Sequence, residues 1–398
     1  MIVVYTSSHG WGHNVRMVSI LNELYNYQLE VVTTAPDWLI RTSLHNKRSK
    51  PLTIRTLLTD PGCVQFDPFT INIEKSIEAW KNNFSDLDKK LQEEVSLLKS
   101  KGIPVRLVLS DISFFGQLVA ESLNVPSVCI ATFDWAFIYQ IHVNSDPELK
   151  EIIQKVQDIS KRFDYCLIPG TVCRPLEIGK KQIEFNWASR KPTISRPDIR
   201  EKLGLSLVLD SVLLSFGGFA IKNLPAHAWK KFNNFEFFVL LPKKDCVNPH
   251  ASNVHFLASE DWSGMHVDLV DTVDVVIGKC GYGLCSEILH TKKPFLAVDR
   301  KGNPEIGVIK KYMKKTIPYR EITEEQFNNG EWYALNELVE MKVNELDYEK
   351  CEVNGEKQIA SWIRKLLGDR EPIHINKNMI SFFVLILAIF VWFFLKKT

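Results

Sequence analysis

The chain has 398 residues, of which 45% are hydrophobic, so it is long enough for two or three domains with buried cores. Its 49 Lys and Arg residues nearly balance 47 Asp and Glu residues, and a net charge of +2 without a long basic run gives no reason to expect a nucleic-acid partner. The 8 cysteines are scattered without CxxC or CxxH spacing, which argues against a zinc site and a disulfide framework.

In the first half of the chain, short apolar segments alternate with stretches of helical periodicity. This alternation predicts strands at residues 2–5, 30–33, 54–57, 106–109 and 127–131, and helices at residues 14–25, 74–100 and 117–123. Strands separated by helices predict a parallel sheet that is covered on both faces. Residues 1–6 have no basic n-region and no long apolar h-region, so we expect a first strand there rather than a secretory signal.

A break in the alternation follows at residues 188–197, which are polar, carry two prolines and therefore indicate a linker. After a short helix at residues 199–204, the pattern predicts strands at residues 211–215, 236–240, 273–277 and 294–298, and helices at residues 282–290, 306–314 and 323–343. We therefore predict two α/β domains, residues 1–190 and 191–367. Ligands should collect in the cleft between them, at the carboxyl ends of the strands.

The end of the chain differs in composition. Residues 368–378 form a polar connector, and residues 379–395 carry no charge over a helical length of about 26 Å. This length is close to the roughly 27 Å hydrocarbon thickness of an endoplasmic reticulum membrane, so a transmembrane helix is predicted, the alternative being a buried core helix. Because only residues 396–398 follow, we expect a tail anchor with the body of the protein in the cytosol, in the endoplasmic reticulum first and the mitochondrial outer membrane second.

Two histidines occupy the loop after the first predicted strand. In this loop Gly10 and Gly12 permit a tight turn and the close approach of a ligand. Imidazole suits proton transfer near neutral pH, so His13 is a candidate base and His9 a second candidate of lower rank. Asp111 ends another predicted strand at the same sheet edge, where its carboxylate would fix the tautomer of His13; taken alone, it is equally explained as a helix N-cap.

A second strand-to-helix turn lies at residues 279–287, KCGYGLCSE. Its glycines, Lys279 and the helix N-terminus predict an anion site that suits a diphosphate. Glu287 lies about one and a half turns into the helix, where it would accept hydrogen bonds from ribose hydroxyls. The alternative is a carboxylate that only offsets the helix dipole.

A third loop contains Gly217 and Gly218, directly after the strand predicted at residues 211–215. Such a glycine pair allows a phosphate to approach the backbone closely, although a plain turn explains it equally well. The sequence contains no GxxxxGK[ST] loop, so a P-loop nucleotidase is not expected.

The turn at residues 279–287 resembles the donor-binding box of nucleotide-sugar-dependent glycosyltransferases, His-Cys-Gly-Trp-Asn-Ser with Glu three residues further on. Lys279 stands in place of the histidine, and Glu287 matches the ribose-binding position. His13 and Asp111 match the base and the carboxylate partner of that family. The resemblance implies donor binding by Gly217, Gly218, Lys279, Gly281, Tyr282, Gly283, Ser286, Glu287, Asn303 and Glu305, and an acceptor loop formed by His9, Gly10 and Gly12.

The chain is also similar to the glycosyltransferase-like N-terminal region of plant L-arabinokinases, which carries a HGxGHxxR opening, a GKxGYGxxSE box and an Asn-x-Glu element. Here these are residues 9–16, 278–287 and 303–305. The likeness covers roughly residues 1–340 and omits the sugar-kinase half, so no kinase activity is expected.

These resemblances imply the GT-B fold and an inverting transfer without a metal or cofactor. The donor would be a nucleotide diphosphate sugar, a UDP-sugar first, and the acceptor hydroxyl would belong to a sugar, a lipid or another small molecule. The Asp-Gln pair that holds the sugar in the family is absent, so the donor sugar is predicted only as far as a hexosyl or N-acetylhexosaminyl group. Two alternatives stay open: a sugar-nucleotide epimerase or hydrolase on the same fold, and a non-catalytic, membrane-tethered nucleotide-sugar-binding protein.

Overall fold

The computed structural model describes residues 1–7, 10–45, 48–66, 70–143, 146–206, 208–217, 224, 226–247, 251–299, 303–341 and 348–371. The chain divides into two units, Met1–Ala360 and Ser361–Thr398. The first unit contains both sheets. In the second unit, residues 361–371 are described, and an ion pair joins Arg364 to Glu371 at 2.8 Å. The predicted transmembrane segment, residues 379–395, and residues 372–378 of the predicted connector lie outside the described residues.

The first sheet contains seven described strands, each paired in parallel with its neighbours. They are β1 (Ile2–Thr6), β2 (Leu29–Val32), β3 (Leu52–Arg55), β4 (Leu107–Asp111), β5 (Ser127–Ile130), β6 (Tyr165–Pro169) and β7 (Lys181–Phe185). The helices between them are α1 (Gly12–Glu23), α2 (Asp37–Ser43), α3 (Ile73–Ser85), α4 (Leu87–Ser100), α5 (Phe115–Leu123), α6 (Trp135–Val143) and α7 (Pro147–Ser160). Strands β1, β2, β4 and β5 are buried along their whole length, as expected where helices cover both faces of a sheet.

The second sheet contains six described strands, again all parallel. They are β8 (Asp210–Ser215), β9 (Phe235–Leu241), β10 (Val254–Ala258), β11 (Val275–Lys279), β12 (Phe295–Val298) and β13 (Tyr319–Ile322). The α-helices of this part are α8 (Arg196–Leu203), α9 (Ala226–Lys231), α10 (Ser259–Trp262), α11 (His266–Thr272), α12 (Tyr282–Thr291), α13 (Pro304–Thr316), α14 (Glu324–Asn328), α15 (Ala334–Glu340) and α16 (Gly355–Leu366). The prediction of two parallel α/β sheets is therefore confirmed. The exact domain boundaries stay a prediction.

The order of the strands determines where a ligand can bind. In the first sheet the order is β3-β2-β1-β4-β5-β6-β7, and in the second it is β10-β9-β8-β11-β12-β13. The direction of strand succession reverses between β1 and β4 and between β8 and β11. Ligands of open parallel sheets bind outside the carboxyl ends of the strands at such a reversal. The carboxyl ends of these four strands and the turns and helix starts that follow them carry the histidine, aspartate, lysine and glycine residues that the sequence analysis selects.

Two predicted helices are wrong as single elements. The helix predicted at residues 74–100 is divided into α3 and α4 at Asp86, whose backbone (φ −118°, ψ 16°) is not helical. The helix predicted at residues 323–343 is divided into α14 and α15, and Gly330 between them has a φ of +64°. Apolar periodicity continues across both breaks, so a periodicity argument cannot detect them, whereas the glycine is a local signal for a left-handed turn.

A close contact joins the start of α16 to the end of the first sheet. A Cβ atom at Gly355 would lie 1.9 Å from the carbonyl oxygen of Asn186, and the Gly355 amide donates a hydrogen bond to the Trp187 carbonyl at 2.9 Å. We expect Gly355→Ala to lower the free energy of unfolding by about 1–3 kcal/mol, because backbone must move to admit the methyl group.

The measurement is urea unfolding of the full chain, with Gly307→Ala as the matched control. Gly307 lies inside α13 with no atom within 4 Å of its Cβ position. Alanine there should raise stability by about 0.5–1 kcal/mol through helix propensity. Equal unfolding midpoints for Gly355→Ala and the wild type would contradict the contact.

Candidate active site

One cavity within the first unit collects most of the residues that the sequence analysis selects. Its walls come from the loops after β1, β8 and β11 and from the starts of α1, α12 and α13. The predicted site residues that line it are Gly10, Gly12, His13, Gly217, Lys279, Gly281, Tyr282, Gly283, Glu287, Asn303 and Glu305. Asp111 lies behind His13, and Ser286 is buried with its hydroxyl donating to the Gly283 carbonyl at 2.9 Å. His9 and Gly218 lie outside the described residues.

His13 and Asp111 meet at the edge of the first sheet. Strands β1 and β4 are adjacent, their register pairs Thr6 with Asp111, and the Ser7 amide donates to the Asp111 carbonyl at 3.2 Å. His13 lies in the first turn of α1, and its Nδ1 atom is 2.7 Å from Oδ1 of Asp111. The predicted contact is therefore present. The alternative for Asp111 is wrong, because α5 is capped at Phe114 without a side-chain hydrogen bond.

Arg16 completes this group, and the sequence analysis assigns it no role. Its Nε and Nη2 atoms donate to Oδ2 and Oδ1 of Asp111 at 2.8 and 2.6 Å. Its Nη1 atom donates to Oγ1 of Thr132 at 3.0 Å. Burial alone would raise the pKa of Asp111, but the charges of Arg16 and His13 outweigh it and hold that pKa below its ordinary value. The position of Arg16 in the sequence could have indicated this contact, since Arg16 follows His13 by three residues and shares its helix face.

Asp60 is a second buried carboxylate beside this group, in the loop after β3. Its Oδ1 atom accepts a hydrogen bond from Oγ of Ser7 at 2.8 Å, while Oδ2 has no hydrogen-bond partner among the described residues. Burial raises the pKa of Asp60 to about 6, and the Ser7 hydrogen bond and the charge of His13 only partly offset this effect. Sequence pattern gives no signal for it, because a loop aspartate is ordinarily exposed.

On the opposite wall, the predicted diphosphate loop begins at Lys279, the last residue of β11. Gly281 occupies the N-cap position of α12, so the free amides at the start of that helix face the cavity together with Lys279. Helix α1 begins beside it: a Cβ atom at Gly283 would lie 3.4 Å from Cα of Gly12. Two helix N-termini therefore approach each other at this cavity, and both favour an anion.

Glu287 is held from both sides. Its Oε1 atom accepts from Nε of Arg190 at 2.7 Å, and its Oε2 atom is 2.5 Å from Nδ1 of His266. Burial would raise the pKa of Glu287, but Arg190 and His266 outweigh it and lower that pKa to about 2. The other ring nitrogen of His266 is 2.8 Å from Oγ of Ser215. Both oxygens predicted to receive ribose hydroxyls thus already have partners in the protein, and ribose binding by Glu287 stays a prediction.

Arg190 lies inside the predicted linker, where polar composition conceals its role. It is only 4% exposed and lines the cavity. Its Nη1 atom donates to Oγ of Ser43 in α2 at 2.9 Å and to the carbonyl oxygen of Ser263 at 2.7 Å. The first unit has two lobes, one built on the first sheet (β1–β7) and one on the second sheet (β8–β13), and Arg190 in the predicted linker contacts both.

Tyr282 packs at the junction of the two lobes. Its ring stacks on Trp187 with centroids 4.8 Å apart, and its hydroxyl accepts from the Ala188 amide at 3.1 Å. Cζ of Arg16 lies 4.8 Å from the centre of the same ring. This buried position makes Tyr282 a contact between the donor loop and α1 in addition to a cavity wall.

Asn303 and Glu305 line the cavity at the start of α13. Oδ1 of Asn303 accepts from the Glu305 amide at 3.0 Å, so the asparagine caps the helix. The sugar contacts predicted for both residues stay a prediction.

Among the described residues, no group of three or more His, Cys, Asp or Glu side chains is placed to hold a metal ion. No helix in the described part of the chain has the length and apolar character required to span a bilayer.

The buried Asp60 carboxyl makes a testable contribution to stability. Its pKa is raised from 3.8 to about 6 on folding, so the folded state favours the protonated form and stability falls as the pH rises through that interval. A shift of about two units corresponds to about 3 kcal/mol. We expect Asp60→Asn to be more stable than the wild type by up to about 3 kcal/mol at pH 7.5, with little difference below pH 4.

Urea unfolding at the two pH values measures this difference. Asp37→Asn is the matched control, because the Asp37 side chain is 56% exposed and forms an ion pair with Arg41 across one helical turn. A surface substitution of this kind should change stability by less than about 0.5 kcal/mol at either pH. A pH-independent effect of Asp60→Asn would show that Asp60 is charged without penalty.

No protein-family model matches the chain. In sequence it is similar to L-arabinokinase of Arabidopsis thaliana, with 29% identity over 313 residues that cover 74% of this chain and 28% of that protein. The matched region is thus less than a third of the length of that relative.

In structure the chain is similar to the glycotransferase of kitacinnamycin, with a TM-score of 0.63, 13% identity, and coverage of 92% of this chain and 99% of that one. It is also similar to UGT2 of Phytolacca americana, complexed with UDP-2fluoro-glucose and pterostilbene, with a TM-score of 0.58, 12% identity, and coverage of 92% and 93%. These findings confirm the predicted resemblances. The two Rossmann-like parallel sheets of this chain have the GT-B fold of the glycosyltransferases.

Proposed function

We propose that the chain is a glycosyltransferase that transfers a sugar from a nucleotide diphosphate sugar to an acceptor hydroxyl with inversion. The observation that carries this proposal is the His13–Asp111 contact of 2.7 Å at a cavity whose opposite wall is the N-terminus of α12. A base and an anion site therefore face the same space. An inverting displacement needs these two elements on opposite sides of the anomeric carbon.

His13 is the proposed base. Asp111 holds Nδ1, so Nε2 takes the proton of the acceptor hydroxyl while the acceptor oxygen forms its bond to the anomeric carbon. The bond from that carbon to the diphosphate oxygen breaks, and its electron pair leaves with the nucleoside diphosphate. The proton stays on the imidazole until the products leave. Every atom of the step is thus accounted for without a metal or cofactor.

The surroundings of His13 support an acceptor with an apolar surface beside its hydroxyl. The rings of Phe133 and Trp135 lie 5.8 and 6.3 Å from the imidazole, and Cys63 and Ile138 complete this side of the cavity. Aromatic walls bind apolar rings and the C–H faces of sugars alike, so both kinds of acceptor suit this side of the cavity. Gly10 and Gly12 also line the cavity.

The donor diphosphate is proposed to bind Lys279 and the free amides at the start of α12. Lysine acts as a point charge where the glycosyltransferase pattern has histidine, and leaving-group charge is stabilised by preorganised amides in the same way. Ribose would bind near Glu287, and the sugar near Asn303 and Glu305. The UDP-sugar in the complex of Phytolacca americana UGT2 supports UDP as the nucleotide of this donor.

We also propose that residues 379–395 anchor the chain in a membrane, with the catalytic body on the cytosolic side. The support is the uncharged sequence of that segment and its flanking lysines. Endoplasmic reticulum is the first membrane expected from the short span, and mitochondrial outer membrane the second. An anchor places an enzyme beside lipid-linked acceptors, so a lipid acceptor is included in the proposal.

His13→Ala tests the base. We expect donor-dependent product formation to fall by about two to four orders of magnitude, because proton transfer is lost. Arg16 still binds both oxygens of Asp111 in this variant, so no buried carboxylate is left without a partner. The assay measures acceptor-dependent release of nucleoside diphosphate from a panel of nucleotide sugars.

The matched control is His255→Gln, since His255 pairs with Glu236 away from the cavity. A donor-induced rise in thermal stability should persist in His13→Ala, because a ligand at a hundred times its dissociation constant adds about 2.7 kcal/mol independently of turnover. Near-normal turnover by His13→Ala would exclude His13 as the base. Equal release of nucleotide without any acceptor would favour the hydrolase alternative.

Deletion of residues 372–398 tests the anchor and the acceptor class together. We expect the full chain to resist alkaline carbonate extraction from membranes and to produce a chloroform-soluble labelled product from a labelled donor. The deletion variant should appear in the supernatant and lose that product, because it no longer reaches lipid acceptors. Extraction of the full chain by carbonate would contradict the anchor, and a strictly water-soluble product would contradict the lipid acceptor.

A further inference from the structure

Oδ1 of Asp111 is shared between two cationic or potentially cationic groups. Nδ1 of His13 approaches it at 2.7 Å and Nη2 of Arg16 at 2.6 Å, and these two nitrogens are 3.5 Å apart. The Arg16 side chain is 2% exposed and that of Asp111 is fully buried. Water therefore screens this cluster little, and each charge acts strongly on the other two.

The fork of Arg16 also fixes the plane of the carboxylate. Nε and Nη2 donate to the two oxygens of Asp111 side by side, and Nη1 donates to Oγ1 of Thr132 at 3.0 Å. A planar guanidinium defines this orientation, whereas a lysine ammonium would supply only a point charge. The position of Asp111 against His13 is therefore set by Arg16 before any ligand binds.

Arg16 further opposes protonation of His13. With a neutral imidazole, the charges of Arg16 and Asp111 cancel, and a proton on His13 makes the cluster positive. A carboxylate by itself stabilises an imidazolium, and a guanidinium 3.5 Å from the ring works against it. A base that has to start the reaction unprotonated benefits from this balance.

We propose that Arg16 is a positioning residue of the transfer reaction, which holds Asp111 against His13 and sets its own charge against the addition of a proton to the imidazole. This inference rests on the proposed role of His13 as the base. The position of the Arg16 side chain also depends on the second lobe, because Arg16 packs on the ring of Tyr282. The other titratable groups that act on the cluster are Asp60, Glu305, Tyr282 and the buried thiols of Cys129 and Cys166.

The first experiment needs no substrate. Exchange of the imidazole C2 hydrogen for deuterium depends on ring protonation, and mass spectrometry follows it in peptides of the full-length chain in detergent. His13→Gln identifies the signal of His13. We expect the midpoint of the His13 exchange profile to rise by about one pH unit or more in Arg16→Gln and to fall in Asp111→Asn. Arg16→Lys keeps the charge and should leave the midpoint near the wild-type value.

Two features keep this experiment decisive. Arg16→Gln leaves a buried carboxylate with one partner fewer and can fail to fold, so the double variant Arg16→Gln/Asp111→Asn is measured as well. It removes opposite charges together, and its midpoint should lie near that of the wild type. His255 and His266 serve as internal references. An unchanged midpoint in Arg16→Gln, or a double variant shifted as far as either single variant, would overturn the proposal.

The second experiment measures the pH dependence of the transfer reaction. The acid limb of kcat/KM for transfer should move upward in Arg16→Gln by the same amount as the exchange midpoint, with part of the activity recovered at higher pH. In Arg16→Lys the limb should stay in place while kcat falls, because the carboxylate is no longer held by two bonds. A uniform loss across all pH values would indicate a purely structural arginine. Shifted exchange midpoints without transfer from any donor would refute the proposed function and leave the charge balance at His13 intact.

Discussion

The candidate site depends on two buried carboxylates, each shared between an arginine and a histidine. Asp111 lies between Arg16 and His13, and Glu287 lies between Arg190 and His266. A buried carboxylate is costly unless its charge is paired and its lone pairs are satisfied. Both groups meet this condition. Arg16 donates to both oxygens of Asp111 and shares Oδ1 with His13, whereas Arg190 and His266 contact different oxygens of Glu287.

Each arginine also reaches across to the other lobe of the first unit. Arg16 belongs to α1 and packs on Tyr282 at the start of α12, whereas Arg190 contacts Glu287 in α12 and Ser43 in α2. The charged groups beside the proposed acceptor side and the proposed donor side are therefore the same groups that join the lobes. A change at one of these residues affects lobe contact and site electrostatics at once.

This sharing determines how substitutions have to be interpreted. Removal of His13 leaves Asp111 paired with Arg16, so a loss of activity reports on the histidine itself. Removal of Asp111 leaves the Arg16 charge buried without its partner, which is expected to cost about 3–5 kcal/mol in stability. Activity lost in an Asp111 variant therefore combines chemistry with folding.

The sequence predicts the fold and the meeting of His13 with Asp111 because both follow from local rules. Apolar periodicity identifies strands, parallel strands share one edge for their carboxyl ends, and a polar residue after a strand lies at that edge. Arg190 and Asp60 could not be found in this way. One belongs to a polar linker and the other to a loop, and their burial results from tertiary contacts that composition does not encode. Glu287 shows the same limit, since its position was predicted and its partners were not.

The two helix N-termini at the cavity explain why the proposed donor site favours an anion. Helices α1 and α12 both begin here, with Gly12 beside Gly283, where a Cβ atom at Gly283 would lie 3.4 Å from Cα of Gly12. Two positive helix ends side by side repel each other, and Lys279 adds a full positive charge on the same wall. The diphosphate of the proposed donor would add negative charge beside all three. Binding of the proposed donor would therefore stabilise the contact between the lobes as well as the ligand, at the place where Tyr282 packs on Arg16 and Arg16 binds Asp111.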